Sequence, residues 1–435
     1  MKLVIIGAGS YVFTPTALRD AVEKHRLDDA EIVLVDLDAA AAETMCGYGR
    51  RMASDLGVGC RITSTTDRRA ALPGADFVIL CASPQGVRRW TMDYEILLRH
   101  GLADQARECG GLGGLANAVR SITLALDIAH DMEALCPRAM LLDVTNPMPR
   151  VVTALRRFSV IPAYGFCNAA QGGKTGYERV AAWTRGVPPG PQAADAARTV
   201  SVVTAGLNHF AWVLAVRDRE SGVDLMPRVL DAVARGTDRT DEVLRRWLDR
   251  YGVVAAAGVD HTGEFLPPQP GVHYHTSPPY HGTGPQREAY WRALREAAAG
   301  ARPWRETGTI VSWEHPVDLA VALAHSRPLE MPVLNLPNDG CMPQLPAGRI
   351  VEVPATAVSG VVKGVSVTLP PGAAAICRIV SDVHELVAEG TARRSRRLLR
   401  HAVEIDPAVP DKPAALAALT EMLAAHEDIC AFAEP

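Results

Sequence analysis

Residues 2–7 make an apolar run that ends in Gly7-Ala8-Gly9-Ser10, and a helical stretch follows to about His25. A run with no polar alternation suits a parallel strand buried on both faces. The pattern repeats at 31–36, 76–81 and 139–144, and a long helical pattern at 117–135 stops at Cys136-Pro137. Strands alternating with helices predict an α/β fold with an N-terminal Rossmann-like, doubly wound parallel sheet. Such sheets gather their ligands at the carboxyl ends of the strands, so the residues just after each run are the first to examine.

The segment Gly186-Val187-Pro188-Pro189-Gly190-Pro191 reads as a surface connection, and beyond it the character changes. Stretches 199–205 and 212–216 alternate like antiparallel strands, and 240–251 is helical. Residues 263–285, rich in Pro, Gly, His and Tyr, read as an ordered irregular region near the site. Helical patterns return at 287–299 and from 374 onward. A chain of 435 residues is long for one core. The expected division is a dinucleotide-binding domain at 1–190 and a C-terminal α+β domain for substrate and oligomer contacts at 191–435.

A formal net charge of −4 leaves no basic footprint for nucleic acid, and no apolar run reaches membrane-spanning length. Neither partner is expected. The nine cysteines are odd in number, scattered and without a Cys-x-x-Cys pair, which fits reduced thiols in a cytoplasm.

Gly7-x-Gly9-Ser10 allows close backbone approach to a pyrophosphate at a helix N-terminus. Asp36, ending the second run, suits the ribose hydroxyls and favours NAD over NADP. Val12 holds the place of the third glycine of the usual fingerprint. Asn146, after the fourth run, is placed to orient a nicotinamide ribose or a substrate hydroxyl.

Two Gly-flanked islands, Gly165-Phe166-Cys167-Asn168 and Gly206-Leu207-Asn208-His209-Phe210, each carry one soft metal ligand. A thiolate and a neutral imidazole together would hold a divalent ion and leave positions open for substrate oxygens. Taken singly, Cys167 reads more simply as a buried apolar thiol and His209 as a satisfied core histidine. A rival set, His273, His275 and His281, has H-x-H spacing in a Pro-rich stretch and reads more simply as a polar loop.

Together these pieces resemble glycoside hydrolase family 4, the NAD- and metal-dependent glycosidases, and the resemblance runs through most of the chain. It rests on Gly7-Ala8-Gly9-Ser10, Asp36-Leu37-Asp38, and Gly110-Gly111-Leu112-Gly113-Gly114 leading into Arg120-Ser121-Ile122. It continues through Thr145-Asn146-Pro147-Met148, the Cys167 and His209 islands, and Asp260-His261-Thr262-Gly263-Glu264-Phe265-Leu266-Pro267. Asn338-Asp339-Gly340 and Val351-Glu352-Val353-Pro354 complete it.

The resemblance implies that Cys167 and His209 hold a manganese-like ion. It also implies a route outside the two-carboxylate scheme: oxidation at sugar C3, removal of the C2 proton, elimination of the aglycone, water addition and re-reduction. Asp260 is the implied base, with Tyr251 as the second candidate. His261 and Glu264 are implied to contact substrate hydroxyls or support those that do. The family further implies a homodimer or homotetramer.

Asn168, directly after Cys167, resembles the β-glycoside branch and cannot protonate a leaving group, whereas the Asp260 segment looks like the α-galactoside and uronide branches. The anomer stays open. Arg88, Arg89 and Arg287 are candidates to grip a phosphate, carboxylate or sulfonate at C6. Competing readings are a hydroxy-acid dehydrogenase with the same Rossmann half, or a cofactor sensor without catalysis.

Overall fold

The apolar runs form strands because their side chains are buried on both faces: Leu3, Val4 and Ile5 of the first are fully enclosed. The structure, a computed structural model, describes all residues except 85, 168, 170–175, 189, 238, 275–283, 308–313, 428, 430, 431 and 433–435. Its strands are β1 (Lys2–Ile6), β2 (Glu31–Val35), β3 (Arg61–Thr65), β4 (Phe77–Leu80), β5 (Met140–Asp143) and β6 (Ala163–Gly165). They continue as β7 (Val200–Leu207), β8 (Phe210–Asp218), β9 (Val254–Ala255), β10 (Leu329–Pro337), β11 (Ile350–Val358) and β12 (Val361–Gly364).

These strands join into a single sheet of order β3-β2-β1-β4-β5-β6-β10-β11-β7-β8-β9, with β12 added to β11. The first six are parallel and the rest antiparallel. The sheet therefore runs straight across the expected boundary near residue 190, and β10 and β11 insert between β6 and β7. The Pro371–Ala392 helix also returns to pack on the Met148–Phe158 and Gly111–Leu135 helices of the N-terminal half. The two halves thus share one sheet and one helical layer.

Local chemistry explains the element ends. Asp38 caps the Ala39–Leu56 helix by accepting from the Ala40 and Ala41 amides, and Gly57 ends it in a left-handed conformation. The Gly111–Leu135 helix starts six residues earlier than its sequence pattern suggests, inside a glycine-rich run that opposes helix by propensity. Packing decides otherwise: a Cβ on Gly114 would lie 2.2 Å from the Cys109 carbonyl carbon, and one on Gly110 would lie 2.1 Å from the Glu264 carbonyl oxygen. By length and composition this helix could cross a membrane, but 78 % of its most apolar window is buried inside the fold.

Candidate active site

One lateral row of register partners crosses the sheet: Val35, Ile6, Leu80, Asp143, Gly165, Asn335, Glu352 and Gly206. The dinucleotide turn, Asn146, Cys167 and the Asn208-His209 turn all follow within a few residues of it.

In the turn, Gly7 has φ +90 and donates its amide to Val35 O at 2.9 Å. A Cβ there would sit 2.5 Å from the Ala82 nitrogen, so glycine is required. The Gly9 amide donates to Asp36 Oδ2 at 2.7 Å and the Asp38 amide to Oδ1 at 2.9 Å. This fixes the carboxylate at the strand end and leaves it lone pairs for a ribose. Ser10 Oγ accepts from the Phe13 amide, leading into the Thr14–Arg19 helix. Val12, where a third glycine was missing, is buried in the core. A glycine turn with no Cβ in the way, leading into a helix beside a fixed acid, fits a dinucleotide.

Asn146 accepts from Ser121 Oγ through its carbonyl and donates through Nδ2 to Glu108 Oε1 at 3.2 Å. Glu108 is half-buried and was not singled out in the sequence, since an acid before a glycine run carries no pattern of its own.

Cys167 Sγ and His209 Nε2 lie 3.2 Å apart. Metal–thiolate and metal–imidazole bonds of roughly 2.3 and 2.0–2.1 Å, meeting at a right angle, separate their donor atoms by about 3.1 Å. The pair therefore fits one ion. Burial pushes the Cys167 thiol well above its usual range, and the charges of Glu314 and Glu352 add to this, while the Asn208 side chain opposes it through a hydrogen bond. Burial, then the His261 charge, hold His209 well below the usual histidine range, so its imidazole is neutral. A bound cation reverses the first effect, because a coordinating thiol is deprotonated. Among the described residues no third His, Cys, Asp or Glu joins them.

His209 closes the two-residue connection between β7 and β8 with φ +61, a left-handed conformation that costs a non-glycine residue roughly 1–2 kcal/mol. His261 stands against it, with ring centroids 4.8 Å apart. His261 Nδ1 pairs with Asp260 Oδ1 at 3.2 Å. Burial alone would lower His261, but the hydrogen bond and charge of Asp260, then Glu264 and Glu108, raise it to about 9. Asp260 and His261 are both part-exposed, as groups that meet a substrate must be.

Glu264 makes contacts of the supporting kind, one of the two tasks expected of it. It is buried, and its Oε2 accepts from the Cys109 and Gly110 amides at 2.8 Å each, at the N-terminus of the Gly111–Leu135 helix. Free N–H groups and the positive end of the helix dipole recruit the carboxylate. Glu264→Ala is expected to lower stability by at least about 1–3 kcal/mol in urea unfolding, because two buried donors lose their acceptor. An unchanged midpoint would remove this structural role.

Tyr251 is not brought into this group. Its ring is buried against Trp212, centroids 5.4 Å apart, and its hydroxyl has no partner among the described residues. Arg88 is exposed and Arg89 half-buried on the first turn of the Gly86–Arg99 helix. Arg287 is half-buried, and its charge acts on Tyr11 in the dinucleotide turn. His273 is exposed, while Asn168, His275 and His281 lie outside the described residues.

The fold and the site define a Rossmann-like sheet that carries a dinucleotide turn and a thiol–imidazole pair, both following one row of register partners. Residues 2–182 match the model of the Family 4 glycosyl hydrolases, and residues 204–409 match that of the Family 4 glycosyl hydrolase C-terminal domain. The chain belongs to this family and is a glycoside hydrolase. It is similar to the alpha-glucosidase of Erwinia rhapontici, at 26 % identity over 93 % of both chains. A 6-phospho-alpha-glucosidase from gut microorganisms, solved in complex with NAD and Mn2+, shares its fold with a TM-score of 0.79. That likeness covers 98 % of both chains at 20 % identity. The 6-phospho-beta glucosidase of Thermotoga maritima, solved with manganese, NAD+ and glucose-6-phosphate, shares the fold at TM-score 0.74 and 19 % identity over 99 % of both chains.

Proposed function

We propose that this glycosidase depends on NAD+ and a divalent ion such as Mn2+, and releases the aglycone by elimination rather than direct displacement. The observation that carries the reading is the Cys167–His209 donor pair at 3.2 Å in a sheet that also carries a dinucleotide turn. Cys167 and His209 would hold the ion. Gly7, Gly9, Ser10, Asp36 and Asn146 would hold the dinucleotide. When bound, the two supply a reversible oxidation at sugar C3 that makes the C2 proton acidic. Asp260 removes that proton, and its pairing with His261 orients the carboxylate for the task. The bond from C1 to the aglycone then breaks, water adds at C1, and the net change is hydrolysis. Asn146 and Glu108 would orient sugar hydroxyls, and Arg88, Arg89 or Arg287 would grip an acidic group at C6.

The test is incubation with NAD+, Mn2+, a thiol reductant and aryl glycosides of both anomers in D2O. The panel carries neutral, 6-phospho, uronic and 6-sulfonate sugars. Aglycone release with deuterium at C2 and no net NADH is the expected result, and the sugar that reacts names the substrate. Steady NADH accumulation without release would replace this reading with a simple dehydrogenase.

A further inference from the structure

Gly165, Asn335, Glu352 and Gly206 are successive register partners across β6, β10, β11 and β7. Cys167 lies two residues beyond one end of this row, and His209 three residues beyond the other. The β10–β11 hairpin is thus the spacer between the two donor strands. Its two row residues are polar yet fully buried. Glu352 Oε2 accepts from Asn335 Nδ2 at 3.0 Å and from Asn208 Nδ2 at 2.8 Å. The Cys167 thiol in turn lies 3.2 Å from His209 Nε2. Asn208 directly precedes His209, whose left-handed backbone persists only where its surroundings hold it. One carboxyl oxygen is therefore connected, through one amide, to the His209 turn, and through it to the spacing of the two donors.

We propose that Glu352 is a positioning residue: its Oε2 clamps Asn208 and Asn335, and through Asn208 sets the spacing of the Cys167 and His209 donor atoms for a single divalent ion. The proposal rests on the reading of Cys167 and His209 as metal ligands. It separates a clamp from a mere negative charge, because Oε2 takes both hydrogen bonds while Oε1 has no partner among the described residues. A glutamine can place its oxygen at the Oε2 position to accept from both amides, so it keeps the clamp and discards the charge. A methionine keeps the bulk and loses the acceptor.

The experiment titrates the full-length protein with Mn2+ and reads the free ion by electron paramagnetic resonance. Co2+ loading then reports the thiolate charge-transfer band, and NAD+ binding and thermal melting are followed alongside. Glu352→Gln is expected to hold Mn2+ within about threefold of the unmodified protein, and Glu352→Met about 10–100-fold more weakly, the usual loss when a partner behind a ligand is removed. The Co2+ band should survive in the first variant and shift or fade in the second. NAD+ affinity should stay constant in both, since its turn is built on β1 and β2. If Glu352→Met does not fold, Asn335→Ala removes one arm of the clamp and should still weaken Mn2+ binding. Undiminished Mn2+ affinity in folded Glu352→Met or Asn335→Ala overturns the clamp. So does a loss in Glu352→Gln as large as in Glu352→Met, which would assign the effect to charge. If the unmodified protein binds no Mn2+, or Cys167→Ala binds it equally well, the metal-site reading itself falls and takes the clamp with it.

Discussion

Cys167→Ala is expected to abolish measurable glycoside turnover and Mn2+ binding while leaving the fold and NAD+ affinity intact. A metal supplies several kcal/mol of charge stabilisation to such a reaction, and each 1.36 kcal/mol is tenfold in rate, so the fall should reach at least about 10³-fold. The fold should survive because Cys167 is only half-buried at a strand end and Ala removes a single sulfur. His209 is harder to replace, because its left-handed backbone disfavours most residues. Asn tolerates that conformation, so His209→Asn is the informative partner variant, with the same loss expected. Turnover, Mn2+ titration and the melting curve measured together decide the matter. Either variant turning over at the native rate with metal bound would remove the pair from the chemistry.

Asp260→Asn should lower kcat by about 10²–10⁴-fold, the ordinary contribution of a positioned base. Asn keeps the size of the side chain and a hydrogen bond to His261, but cannot take up a proton. Metal and NAD+ binding should therefore persist, and deuterium incorporation at C2 should stop. If exchange at C2 continues at the native rate, another group is the base. Tyr251→Phe is the natural comparison: its ring lies in the apolar core against Trp212, so the change should register in stability and not in C2 exchange.

How far the site was legible depends on how local each part is. The Gly7–Gly9 turn and Asp36 were readable because a strand, a tight turn and a terminal acid are neighbours in sequence. The start of the Gly111–Leu135 helix was not, since its glycines answer to close contacts with Cys109 and Glu264 rather than to helix propensity. For Glu264 a substrate contact and a supporting role were both left open, because nothing nearby in sequence reveals that the helix terminus takes its carboxylate. Glu352 was visible only as one acid in an alternating apolar run. Its two amide partners are distant in sequence, Asn208 by 144 positions.

By itself the sequence determined the parallel sheet, the dinucleotide turn and the kinds of donor available. These follow from the spacing of apolar residues, backbone freedom at glycine and side-chain chemistry, all of them short-range. Only the tertiary structure decided that Cys167 and His209, forty-two residues apart, stand 3.2 Å from each other. Between their strands lies a β-hairpin that arrives from the C-terminal half. Strand order of that kind is chosen by the burial of whole faces, which no window of neighbouring residues records.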